Sequence, residues 1–182
     1  MNFKKIKSYF SNKSKAFTLV ELLVVLAIIG ILASIIVVSL QTTRTKARDT
    51  RRKADMEAIR GALEVYRNTN GSYPNSLLCQ FRLDVWCSSA YGINWIPGLA
   101  PDYISVVPVD PIPFGGNFSC LRPESEWENN YFYRAYNNNQ DYKLVVSTME
   151  SAEGQKWAAE DGGAKSQYYE LFSPGAQALW DW

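Results

Sequence analysis

The chain contains no histidine. Imidazole acid–base chemistry, the commonest metal ligand and every nucleophile pair activated by histidine are therefore excluded. Cysteine is scarce: Cys79, Cys87 and Cys120 are the only three, and none stand at CxxC spacing, which argues against zinc and dithiol redox centres. One disulfide and one spare thiol is the arithmetic expected of an exported domain. Cys79 with Cys87, closing a short loop, is the preferred pair, and the spacing leaves the other connectivities open. Net charge is also small, +1 over 182 residues, but it is unevenly placed. Residues 1–16 hold five lysines and no acid, so removing them takes the charge from +1 to −4. A mildly acidic remainder gives no reason to expect nucleic acid as a partner.

What the chain does have is one long apolar run. Residues 17–40 carry a single charge, Glu21. As a helix they would extend about 36 Å, enough to cross a bilayer core. An ordinary secretory signal has a shorter apolar region with a small-residue cleavage site after it. Here the small residue, Ala16, comes before the run, directly after the lysines.

The basic leader, Ala16, the stretch Phe17-Thr18-Leu19-Val20-Glu21-Leu22-Leu23-Val24-Val25, and Gly30 with Ala33-Ser34 resemble the class III signal of type IV pilins and of the pseudopilins of type II secretion systems. The resemblance implies that a prepilin peptidase cuts between Ala16 and Phe17 on the cytoplasmic side. The new amine is then methylated, and the apolar helix stays with the mature protein. Two positions depart from the family pattern: glycine is commoner where Ala16 stands, and many members have proline where Val38 stands. Without that proline the helix loses a reason to kink there.

A carboxylate at the centre of a span costs about 2.5 to 3.5 kcal/mol, and less near the interface. Once the leader is removed, the nearest cation to Glu21 is the amine of Phe17, four residues back. In a bundle of such helices the amine of one subunit can meet Glu21 of the next, a charge-assisted contact in an apolar medium. This contact is head-to-tail, so its natural product is an open helical filament. Ala27, Gly30, Ala33 and Ser34 allow close helix approach. The plainer alternative leaves Glu21 solvated at headgroup level.

Beyond the span, residues 41–70 keep helical character, with an apolar stripe at Met56, Ile59, Leu63 and Tyr66. Asn70-Gly71 reads as a C-cap and Pro74 as a stop. From Phe17 to Thr69 such a helix would measure about 80 Å. The cluster Arg44, Lys46, Arg48, Arg51, Arg52 and Lys53 against Asp49 nearly balances the leader's charge, so the positive-inside rule does not orient the span. The resemblance puts the N-terminus in the cytoplasm. This cluster could meet DNA or anionic lipid, and a solvated helix face is the plainer reading. Nucleic acid is not expected, because no aromatics are interleaved with the charges.

Residues 71–129 are rich in proline and glycine and read as a loop-dominated connection. Within it "NTNGSYPNS" and "YISVVPVDP" resemble the pieces that follow the long helix in major pseudopilins. Asp110 before Pro111 starts a turn under which Ile104, Val106 and Val107 can pack. Residues 130–150 read as a β-hairpin about an asparagine turn, with Tyr131, Tyr133 and Ala135 alternating with Phe132, Arg134 and Tyr136. Residues 151–182 form the tail, where Trp157, Trp180 and Trp182 can anchor it to the head. Major pseudopilins hold calcium in a C-terminal loop, which makes Glu150, Glu153, Glu160 and Asp161 a candidate weak site. Their spacing does not match that loop, and a solvated acidic loop is the alternative. No other cofactor is expected.

The expected fold is α+β: a long N-terminal helix, membrane-spanning in its first half, packed on a small antiparallel sheet with long loops. The expected function is a structural subunit of a type IV pilus or a type II secretion pseudopilus, not an enzyme. It is processed at Ala16 and Phe17 and assembled through Phe17, Glu21 and Gly30. Its partners would be the prepilin peptidase, copies of itself and other pilins, an inner-membrane assembly platform, and membrane lipid before assembly. It would begin as a single-pass inner-membrane precursor and end in an extracytoplasmic filament. The competing reading is a single-pass anchored binding protein that does not polymerise.

Overall fold

A computed structural model describes residues 17–78, 86–92, 94–112, 128–163, 167–174 and 176, without the side chains of residues 35–38, 78 and 91. The chain divides into two units, Met1–Gln41 and Thr42–Trp182. Helix α1 spans Leu19–Asn70. In the first unit it is apolar on every side, and the large side chains from Leu19 to Leu32 are uncovered by the rest of the chain.

In the second unit α1 becomes one-sided. Met56, Ile59, Ala62 and Leu63 recur at spacings of three and four and are buried, while Tyr66 is half-buried beside them. The helix ends where Gly71 takes φ +78° and donates its amide to the Arg67 carbonyl at 2.8 Å. Glycine adopts that left-handed geometry without steric cost.

The buried stripe belongs to the same core as a four-stranded antiparallel sheet in the order β1-β2-β3-β4. The strands are β1 (Cys87–Ser88), β2 (Tyr131–Tyr136), β3 (Asp141–Val146) and β4 (Tyr169–Phe172). β2 and β3 pair Tyr131 with Val146, Tyr133 with Leu144 and Ala135 with Tyr142, and all six side chains are buried. The turn between them, Asn137-Asn138-Asn139, lies wholly at positive φ. Asparagine tolerates this better than other residues with a Cβ.

The opposite face of the hairpin is also closed, since Phe132, Lys143 and Val145 are buried. Arg134 stands opposite Lys143 across the ladder, a like-charge pair. Glu170 on β4 answers it, its Oε2 lying 2.9 Å from Lys143 Nζ.

The tail adds an element that periodicity did not reveal, helix α2 (Ala152–Glu160), with Ser151 as N-cap. Within the loop connection Val107 is buried and Ile104 half-buried, but Val106 is 49% exposed and does not pack under the Asp110 turn. Ile104 and Val107, three residues apart, turn inward in this bend, and Val106 between them faces out.

Candidate functional site

Two places gather the residues with chemical potential: the start of α1 and a buried charge cluster in the head. At the start of α1, Thr18 is the residue before the first helical turn and Glu21 closes back on it. The Thr18 amide and hydroxyl each donate to Glu21 Oε2 at 2.8 Å, and the Glu21 amide donates to Thr18 Oγ1 at 3.2 Å. This is a reciprocal capping box, which satisfies backbone donors that a helix start leaves open. The signature Thr-x-x-Glu was readable in the sequence, and it identifies Thr18 as a functional neighbour of Glu21.

Phe17 is 88% exposed. Ala16 lies outside the described residues. A Cβ added at Gly30 would meet nothing within 4 Å, so any demand for glycine there must come from another molecule. The Ser34 hydroxyl bonds back to the Ile31 carbonyl at 2.7 Å, which hides its polarity within the helix. α1 includes a stretch long and apolar enough to cross a membrane. A helix apolar all round and uncovered by its own chain requires lipid or sister helices.

The charge cluster is centred on Arg52, which is fully buried. Its guanidinium grips Asp110 through two bonds, Nε to Oδ2 at 2.8 Å and Nη2 to Oδ1 at 3.0 Å. Nη1 donates to Asp49 Oδ1 at 2.9 Å and Glu150 Oε1 at 2.6 Å, and Nη2 reaches Asn129 Oδ1 at 3.3 Å. Burial opposes the charge on Arg52, but Asp110, Glu150 and Asp49 outweigh it and raise its pKa. Arg48 adds a two-pronged pair with Glu150, and hydrogen bonding to Arg48 is the main cause that lowers the Glu150 pKa.

Asp49 works in two directions. One oxygen meets Arg52, while Oδ2 accepts the Ser151 amide and hydroxyl, each at 2.7 Å. Asp110, read from the sequence as a turn former, does accept the Ile112 amide at 2.8 Å, and it is also the chief counter-ion of Arg52. The cluster ties α1 to the loop before β2 and to the start of α2.

The remaining candidates are dispersed. Cys87 is disulfide-bonded. Cys79 and Cys120 lie outside the described residues. Glu150 is committed to the two arginines, Glu153 and Glu160 are exposed on α2, and Glu160 lies 3.8 Å from Lys156. Asp161 accepts the Gly163 amide at 2.7 Å and the Glu170 amide at 2.6 Å, and burial pushes its pKa up to about 6. Among the described residues no group of three acids or cysteines is arranged to hold a metal ion. Trp157 lies under Lys53, whose ammonium is 4.5 Å from the ring centre. Trp180 and Trp182 lie outside the described residues.

An apolar helix opened by a Thr–Glu box and carried into an α+β head defines a pilin-like subunit. Residues 11–37 match the prokaryotic N-terminal methylation motif. The chain is similar to type II secretion system core protein G of Klebsiella pneumoniae, 31% identical over 112 residues, 61% of this chain and 76% of that one. It is 30% identical to the protein of the same description from Escherichia coli (strain K12) over 118 residues, 62% of this chain and 75% of that one. The corresponding protein of Vibrio cholerae serotype O1 is 32% identical over 111 residues, 61% and 73% of the two chains. No solved structure matches. The chain belongs to the type IV pilin and pseudopilin family.

Proposed function

We propose that the chain is a structural subunit of a type II secretion pseudopilus or a closely related type IV filament, and that it carries out no catalysis. A prepilin peptidase removes residues 1–16, the amine of Phe17 is methylated, and residues 17–40 hold the subunit in the inner membrane with its N-terminus cytoplasmic. An inner-membrane platform then assembles it with copies of itself and other pilins. The observation that carries this reading is the methylation motif at residues 11–37, set on an apolar helix that its own chain leaves uncovered.

The chemistry of assembly follows from the start of α1. Before cleavage the nitrogen of Phe17 is an uncharged amide, and Glu21 has only Thr18 as a described partner. Cleavage turns that nitrogen into an ammonium group. A neighbouring subunit can then offer Glu21 a full opposite charge, which offsets the cost of holding a carboxylate in an apolar bundle.

Mass spectrometry of the protein recovered from membranes tests the reading directly. The expected product begins at Phe17 and carries one added methyl group on its amine. An intact Met1 would support the anchored binding protein instead.

A further inference from the structure

The cationic stretch of α1 from Arg44 to Lys53 is neutralised very unevenly by the head. Arg52 is sealed among Asp49, Asp110 and Glu150; Arg48 is held by Glu150; Lys53 lies over Trp157. Arg51 is exposed and comes within 3.7 Å of Asp55. Arg44 and Lys46 are both exposed, and no ion pair holds either of them among the described residues. The head thus spends its nearby acids on the later cations and leaves the first two open.

Position explains what these two can meet. The apolar run closes at Leu40, and Arg44 and Lys46 follow four and six residues later. At helical rise this is about 6 and 9 Å of chain. The headgroup layer on one side of a bilayer is roughly 5 to 8 Å deep. Arg44 therefore falls at phosphate depth if residues 17–40 span the membrane, and Lys46 lies at the outer edge of that layer, within reach of the phosphates through its four-carbon side chain; the inference rests on that reading.

The head's exposed acids offer a poorer match. Glu153 and Glu160 belong to α2, which is fastened to α1 at Asp49 and beyond, and Asp102 precedes Tyr103, which packs against Tyr66. A neighbouring copy in the same plane carries these groups above the level of Arg44.

We infer that Arg44 and Lys46 form a binding collar for anionic phospholipid headgroups in the leaflet facing the head, occupied before the subunit joins a filament. Each cation at the membrane surface raises the preference for an anionic lipid by roughly fivefold. Screening by salt reduces it. Assembly must break these contacts, so the collar also resists premature withdrawal from the bilayer.

The test uses the processed chain beginning at Phe17, which lacks the leader lysines, reconstituted into phosphatidylcholine bilayers. Trace spin-labelled phosphatidylglycerol or phosphatidylcholine reports how much lipid is immobilised at the protein. Wild type should retain phosphatidylglycerol several-fold over phosphatidylcholine. Raised salt should weaken that preference, and millimolar inorganic phosphate should leave it in place. Arg44→Gln combined with Lys46→Gln should abolish it, while Arg60→Gln, an exposed cation further along α1, should not. Equal retention of the two lipids, or a preference that survives the double substitution, overturns the collar. So does a double variant that loses filament formation with lipid retention unchanged, which would assign the two cations to a neighbouring subunit. A processed chain that fails to enter bilayers would overturn the membrane-spanning reading itself, a separate result from entry without lipid preference.

Discussion

Asp49 Oδ2 lies 2.7 Å from the backbone nitrogen of Ser151, so a carboxylate on α1 serves as the outer cap of α2. Ser151 in turn accepts the Gly154 amide at 3.0 Å. A Cβ at Gly154 would collide with the Asp49 carboxylate. Gly154→Ala should therefore push Asp49 out of place and destabilise the head by roughly 2 kcal/mol, although alanine favours helix over glycine. Thermal unfolding followed by circular dichroism reads the effect. A raised Tm would show that helix propensity outweighs the contact.

Arg52→Met leaves the buried Asp49 and Asp110 without the guanidinium that bonds to both. Removing one partner from such a cluster costs about 3 to 5 kcal/mol. Arg52→Lys should recover little of this, because an ammonium cannot make the two parallel bonds that Asp110 now receives. Urea unfolding of both variants gives the comparison, and full rescue by lysine would mean that charge alone matters.

The head should respond to acid in two opposed ways. The Glu150 carboxyl titrates below its ordinary value because of Arg48 and then Arg52, so its stabilisation is present above that ordinary value and fades as pH falls through the depressed one. Asp161 has the reverse sign: its folded pKa of about 6 exceeds the ordinary 3.8. Its contribution favours folding below 3.8 and is lost as pH rises towards about 6. Asp161→Asn should flatten the pH dependence of unfolding between about pH 4 and 6, by about 1 kcal/mol once partial solvation is allowed for. An identical slope in both proteins would contradict the assignment.

Glu21→Ala should leave membrane insertion and cleavage intact while preventing filaments. Thr18→Ala, which removes the hydroxyl arm of the box, should cost about 1 kcal/mol of local helix stability. Electron microscopy of shed filaments together with N-terminal mass spectrometry separates the effects. Normal filaments from Glu21→Ala would remove its role in assembly.

Cys87 has a disulfide partner, and the proposed one is Cys79. Alkylation of the unfolded, unreduced protein should label one thiol, and none in Cys120→Ser. Cys79→Ser should instead expose two. The opposite pattern would assign the bond to Cys87 and Cys120.

The parts legible in the sequence are those whose periodicity is repeated. Met56, Ile59 and Leu63 mark a helix face, and Tyr131, Tyr133 and Ala135 mark a strand face, because burial imposes spacings of 3.6 and 2. β1 is two residues long and β4 four, too short to establish a period. α2 contains Gly154, a poor helix former that is needed for the approach of Asp49. Of the charge cluster only Asp49 and Arg52, three residues apart, are local, since Arg52 meets Asp110 58 residues away and Glu150 98 away. Thr18 is legible from Thr-x-x-Glu, because a capping box is built from residues only three apart.

The acid that closes Arg48 lies 102 residues further along the chain. At a synthesis rate of 5 to 20 residues per second, roughly 5 to 20 s pass between the two leaving the ribosome. Throughout that interval the Arg48 guanidinium stands open, whereas Arg52 follows Asp49 by three residues and gains Asp110 part-way through. A nascent polypeptide released before Glu150 would keep Arg48 so permanently.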